Sequence, residues 1–224
     1  LSTVSLFVAI KNLPESLTPD MRKVDTSRTW SQQMKSMYGN SKKMLGEGSI
    51  AVIIWVAMLF TFGFTIMHAI FILYTGMPIM DGGLNFSEAD NGRIFAMIGV
   101  TGIITQGFLI GPLTKKFGSR RLLTVAALLT GLGLVLIPYS QSEYAWLHIL
   151  AVTGILSIGS GLFQPSSSTL LAQFAKAEGY ELGVVMGANE SFGAFARIIG
   201  PLSGGLVWVL TSDGRYPWDY HTAF

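Results

Sequence analysis

The sequence predicts an all-α membrane protein, a helical bundle of transmembrane helices. Three observations predict it. Half of the 224 residues are hydrophobic and only 12% are charged, about half the ~25% of an average soluble domain. Five runs are long and apolar enough to cross a bilayer core that takes about 20 residues of helix. The basic residues alternate in position with those runs, as the charge bias of membrane loops requires.

The first run, 49–76, has no Asp, Glu, Lys or Arg. The second, 93–113, is uncharged after Arg93. The third and fourth, 122–140 and 144–175, are uncharged throughout. The fifth, 182–211, contains Glu190 and Arg197. A buried helix of a large soluble protein would explain one such run, not five in one short chain. The first ten residues form an apolar stretch too short to span. Residues 216–224 resemble the approach to another span. Both are read as pieces of helices that continue beyond this sequence.

Charge gives an orientation. Lys11, Arg22, Lys23, Arg28, Lys35, Lys42 and Lys43 precede the first run. Lys115, Lys116, Arg120 and Arg121 separate the second from the third, and Lys176 follows the fourth. The intervening loops have only Arg93 and Arg215. The basic side is therefore expected to be cytoplasmic, with residues 11–48 a cytoplasmic loop. Flanking spans explain this basic stretch better than a nucleic-acid tail would.

The chain has no Cys, so disulfides and Cys-ligated zinc are excluded. His68, His148 and His221 have no metal-ligand spacing, and no metal or other cofactor is expected. No phosphate-binding Gly loop ending in Lys-Ser/Thr is present, so ATP-driven transport is not encoded here. No catalytic constellation appears, and the chain does not read as an enzyme.

Ionisable groups inside a membrane cost about 2.5–3.5 kcal/mol on insertion scales and are functional candidates by default. Glu190 and Arg197 are seven residues apart, so they share one helix face about 10 Å apart along the axis. Gly183 and Gly204 extend that stripe, which is expected to face the bundle interior or a central cavity. One reading makes Glu190 a proton or substrate site with Arg197 as counter-charge. The other makes the pair structural: an interhelix ion pair, or Arg197 bonded to carbonyls freed near Pro201.

His68 shares a face with Thr61 and Thr65. It reads as a polar residue near the outer interface, with titration near neutral pH as the alternative. Thr153, Ser157, Ser160, Gln164 and Ser168 form a stripe at helical spacing. Small-residue packing explains most of it, with Gln164 the best exception. Gln106 stands similarly on the second span. Gly107/Gly111, Gly183/Gly187 and Gly200/Gly204 are small-x-x-x-small pairs suited to close helix contact. Pro165 and Pro201 are expected to kink their spans.

Two motifs carry a family resemblance. The run Gly111-Pro112-Leu113-Thr114-Lys115-Lys116-Phe117-Gly118-Ser119-Arg120-Arg121 reads as a helix closed by glycine, a basic turn at Gly118 and a new helix. It resembles the Gly-x-Leu-Ala-Asp-Arg-x-Gly-Arg-Arg loop of the major facilitator superfamily, matching at Gly111, Leu113, Lys116, Gly118 and Arg120. Lys115 stands where the family's best copy has Asp, as is common in the C-terminal half. In the fifth span, Gly200-Pro201-Leu202-Ser203-Gly204-Gly205 resembles the Gly-Pro-x-x-Gly-Gly motif of the family's antiporters.

The resemblance implies the C-terminal half of a major facilitator fold. Residues 1–10 would end helix 6, 11–48 form the central loop, 49–213 helices 7–11, and 214–224 the outer loop and start of helix 12. The alternative register, helices 1–5, fits less well, because the fourth span lacks the family's embedded Arg. Gln106 and the stretch Gly187-Ala188-Asn189-Glu190-Ser191 are similar to the drug:proton antiporter branch that includes tetracycline-resistance pumps. The implied function is proton-coupled efflux of a small solute by alternating access, together with a missing N-terminal half, in a bacterial inner membrane. Sugar or metabolite transport is the alternative within the family; a membrane enzyme or a receptor is the alternative outside it.

Overall fold

The computed structural model describes residues 48–140 and 143–212, with Lys11, Gly46 and Phe224. The chain divides into two units, Leu1–Asn40 and Ser41–Phe224. Of the first only Lys11 is described. The assignments of residues 1–10, of the 11–48 loop and of 214–224 therefore fall outside the described residues, save for Lys11, Gly46, Gly48 and Phe224.

The second unit contains five helices long and apolar enough to cross a membrane. They are α1 (Ser49–Gly76), α2 (Glu88–Phe117), α3 (Ser119–Leu136), α4 (Ala145–Glu178) and α5 (Leu182–Ser212). All five runs expected from the sequence are present, α1 with the same limits. α2 is longer than expected at both ends. At its start, Ser87 and Asp90 form a capping box: Ser87 Oγ accepts from the Asp90 amide, and Asp90 Oδ2 accepts from the Ser87 amide. These polar residues cap a helix that hydropathy alone begins later.

The turn between α2 and α3 corrects the reading of Gly111. Helix continues through Gly111 and Pro112 to Phe117. Gly118 alone makes the break, at φ +76°, a region open to glycine without steric cost. The basic residues Lys115 and Lys116 thus lie in the last turn of α2, where they complement its C-terminal dipole.

Pro165 and Pro201 lie inside uninterrupted helices. The irregular segment is in α2, where Thr105–Leu109 winds as a π turn and the Ile110 amide bonds back to the Thr105 carbonyl. Pro112 follows within one turn. It lacks an amide for the Phe108 carbonyl and its ring crowds that oxygen, which disturbs regular helix on its N-terminal side.

Three apolar clusters hold the helices together. At the end where α1 begins, Ile50, Ile53 and Ile54 meet Leu170, Leu171 and Ala175 of α4 and Val185 of α5. In the middle, Ala57 joins Leu122 and Ala126 of α3 and Leu162 and Phe163 of α4. There Phe60 stacks on Phe163 with centroids 3.6 Å apart. At the far end, Met67, Phe71 and Tyr74 pack with Ile94, Ile137, Ile149 and Leu156. The Tyr74 hydroxyl donates to the Pro138 carbonyl, and the Phe224 ring sits edge-on to Tyr74.

Glycine placement differs from expectation. Gly107, Gly111, Gly183 and Gly187 have nothing within 4 Å of an added Cβ. Gly200 and Gly204 do make a close contact, against Thr65 and Ile66 of α1. The tightest contacts between α3 and α4 are at Gly133 and Gly159, which the spacing rule did not select. A Cβ at Gly159 would lie 2.7 Å from the Thr130 amide nitrogen and 2.9 Å from the Ala126 carbonyl oxygen. Backbone cannot yield as a side-chain end can. Gly159→Val is expected to destabilise the α3–α4 pair by about 1–3 kcal/mol, the usual cost of overpacking, whereas Gly183→Val leaves stability unchanged. Thermal unfolding in detergent, followed by circular dichroism, checks both.

Candidate functional site

A cavity of about 530 Å³ opens among α1, α2, α4 and α5. That is within the ~300–1,000 Å³ range of small-molecule sites. Four of the residues selected from the sequence line it: His68, Gln106, Gln164 and Arg197. Each comes from a different helix, so no local pattern could have shown that they meet.

α1 contributes Phe60, Thr61, Phe64, Thr65 and His68, the successive positions of one helix face. Phe60 and Phe64 are stacked at 6.0 Å, and the His68 ring stands 4.5 Å from Phe64. Nδ1 of His68 is 3.0 Å from the Phe64 carbonyl oxygen, to which it donates. His68 therefore belongs to the cavity wall and not only to an outer interface.

α4 splits its polar stripe between two tasks. Thr153 and Ser157 are buried, and the Ser157 hydroxyl donates to the Ile98 carbonyl of α2 at 2.9 Å. Ser157 also lines the cavity, with Ser160 and Gln164, whereas Ser168 is exposed outside it. Gly161 lies opposite Thr105, 3.1 Å from its methyl carbon by an added Cβ. This close approach sets the π turn of α2, with Gln106 on it, against the cavity.

α5 brings Arg197. Its guanidinium donates from Nη2 to Glu190 Oε2 at 3.3 Å. The two residues do share a face, but the pair forms within α5, which corrects the interhelix reading. Arg197 also extends away from Pro201, not toward the carbonyls near it. The ~10 Å between positions 190 and 197 is bridged by two long side chains lying over Gly193, where an added Cβ would be 3.7 Å from both Nη atoms. Gly193 was not singled out in the sequence; its place midway between the two charges was the available signal.

Glu190 itself does not line the cavity. Its side chain is 70% exposed and that of Arg197 49%. The stripe through Gly183, Glu190, Arg197 and Gly204 is therefore not uniformly inward: Gly204 packs on α1, Arg197 edges the cavity, and Glu190 and Gly183 are open. Asn189 is half-buried, and its Oδ1 is buried without a hydrogen-bond partner among the described residues.

The motif glycines contribute indirectly. Gly200 and Gly204 bring α5 against α1; the exposed Pro201 and Gly205, with nothing near its added Cβ, make no such contact. Gly111, Leu113, Lys116 and Gly118 lie away from the cavity. Arg120 edges a separate groove of about 680 Å³, walled by Val52, Val56, Leu123, Leu128 and Phe174. Ser49 and Thr124 also line that groove, which gathers none of the polar residues selected inside the spans.

Comparison with known proteins follows this geometry. The family model described as Major Facilitator Superfamily matches residues 4–220. Multidrug resistance protein 1 of Bacillus subtilis (strain 168) is 25% identical over 75% of this chain and 40% of its own length. Tetracycline resistance protein, class G, of Vibrio anguillarum is 26% identical over 59% of this chain and 32% of its own. Dipeptide and tripeptide permease A of Serratia proteamaculans (strain 568) is 33% identical over 40% of this chain and 17% of its own. The chain thus spans less than half the length of these relatives. No solved structure matches it significantly. With five spans and a family match over nearly its whole length, the chain is a multi-pass integral membrane protein and belongs to the major facilitator superfamily, a family of transporters.

Proposed function

We propose that this chain is the C-terminal half of a secondary active transporter, with α1–α5 as helices 7–11 and residues 11–48 as the cytoplasmic loop between halves. The cavity would be its share of a central solute site. One observation carries the reading: polar side chains from four spans converge on a single cavity, while the outer faces of those spans expose large apolar residues. Intramembrane polar groups placed toward a cavity mark substrate and ion pathways.

Proton-coupled efflux, as in drug:proton antiport, is the specific form we favour. Two relatives are named for multidrug and tetracycline resistance. Glu190 supplies a carboxylate that can exchange a proton, and it is bonded to the one charged residue of the cavity wall. Uptake of a metabolite is the second reading, favoured by the similarity to a peptide permease.

Alternating access needs two halves rocking about the site. Vesicles containing only residues 1–224 are expected to show no flux, and robust flux from them would refute the half-transporter reading. In vesicles of the full-length protein, an imposed pH gradient is expected to drive efflux of a fluorescent drug. Glu190→Gln and Arg197→Ala each lower that flux about tenfold or more, the size expected when a transport-linked charge is removed. Unchanged flux in both would reduce the pair to a structural role.

Because residues 1–224 contain no cysteine, single cysteines placed in this chain report water access without background from it. Gln106→Cys and Gln164→Cys are expected to react with a membrane-impermeant methanethiosulfonate, while Leu132→Cys, on an apolar outer face, reacts little because thiolate does not form in lipid. Labelling followed by mass spectrometry gives the answer.

A further inference from the structure

We infer that the solute bound in this cavity carries an oxyanion, of the carboxylate class, on a flat apolar body. Arg197 receives that oxyanion, and Glu190 is the resident counter-ion that it displaces. The inference rests on the reading of the cavity as the solute site.

The charge inventory of the wall comes first. Among the described residues, Arg197 is the sole one with a permanent charge lining the cavity, and no carboxylate lines it. A cationic solute would find no counter-charge on this half's wall. The nearest carboxylate, Glu190, is outside the wall and already paired.

The hydrogen-bond donors point the same way. The hydroxyls of Thr61, Thr65, Ser157 and Ser160 all donate to backbone carbonyls. The amides of Gln106 and Gln164 make no hydrogen bond to a described residue, and Arg197 uses only Nη2, with a single bond to Glu190. The uncommitted donors are therefore one guanidinium fork and two amides. A fork with its other N–H groups free suits a carboxylate, which it can bind through two parallel bonds.

The Glu190 bond is the weak form of that contact. It is end-on, 3.3 Å long and largely exposed, and such pairs contribute little stability. A solute carboxylate entering the enclosed side of Arg197 meets the same fork in a less polar setting, where the attraction is stronger. Phe60 and Phe64 in the same wall offer aromatic surface to the apolar part of the solute. The two features lie on α1 and α5, which Gly200 holds in contact.

The test uses three isosteric probes: 1-naphthylacetate, the neutral 1-naphthylacetamide, and the cation 2-(1-naphthyl)ethylammonium. Each is titrated calorimetrically into the full-length protein in lipid nanodiscs. The acid is expected to bind about tenfold or more tightly than the amide, the range for a charge-assisted pair over a neutral one. Arg197→Ala is expected to abolish that preference while amide binding persists, which also reports an intact fold. Glu190→Gln is expected to tighten the acid severalfold, because its competitor is gone, and to leave the amide unchanged. Equal binding of acid and amide overturns the inference, as does tightest binding of the amine lost in Glu190→Gln; the latter makes the solute cationic while sparing the cavity as solute site. Failure of all three probes to bind, in wild type and in both variants, removes the cavity as the solute site and the inference with it.

Discussion

At Gly200 the backbone of α5 lies so close to α1 that no side chain fits between Thr65 and the helix. Four residues along, Gly204 makes the same approach to Ile66, and Ala196 is fully buried on that face. The Thr65 hydroxyl reaches the Ala196 carbonyl at 3.4 Å. In lipid, where apolar surfaces gain nothing by meeting one another, such backbone contact and such hydrogen bonds are what hold helices together. The contact also fixes the rotation of α5. With Ala196, Gly200 and Gly204 against α1, Arg197 must emerge at the edge of that contact, which is where the cavity lies.

The ion pair runs along a helix and not between helices. α1 offers Arg197 no acidic partner, because it has no Asp or Glu. The Arg197 side chain leans toward the N-terminus of α5, as long side chains on helices do. Gly193 leaves that path free, and Glu190 is the first acceptor on it. Neutralising charge within one helix lowers the cost of placing it in a membrane without tying α5 to a neighbour. The pair can therefore open without loss of any contact between helices.

Much of the fold was legible in the sequence because the bilayer imposes a simple rule. Length and hydropathy specify a span, and the start and end of α1 need nothing else. The rule weakens where local chemistry governs the limits: the capping box at Ser87 extends α2, and the helix runs on through Gly111 because only Gly118 takes a positive φ. Glycine spacing was a poor guide. Gly107/Gly111 and Gly183/Gly187 obey the small-residue pattern with no partner near, while Gly133, Gly159 and Gly161 carry the tight contacts of α4 with α3 and α2. Spacing tells which residues share a face, not whether another helix is there. For the cavity the limit was the same. Each of His68, Gln106, Gln164 and Arg197 was conspicuous as a polar group in an apolar run, but their meeting depends on contacts between helices far apart in sequence.

The cavity has a firm floor and a looser wall. α1 and α4 meet through stacked Phe60 and Phe163 and through buried residues at both ends. They supply the ring row, His68 and Gln164. α2, by contrast, is largely uncovered: Val100, Ile103 and Phe108 are all exposed. It is held to α4 by Ser157 on the Ile98 carbonyl and by the approach of Gly161 to Thr105. Gln106 follows immediately, on the π turn, where the regular hydrogen-bond ladder is already broken. Gln106 thus sits on the irregular segment of the wall, while Phe60 is fixed in its stack on Phe163.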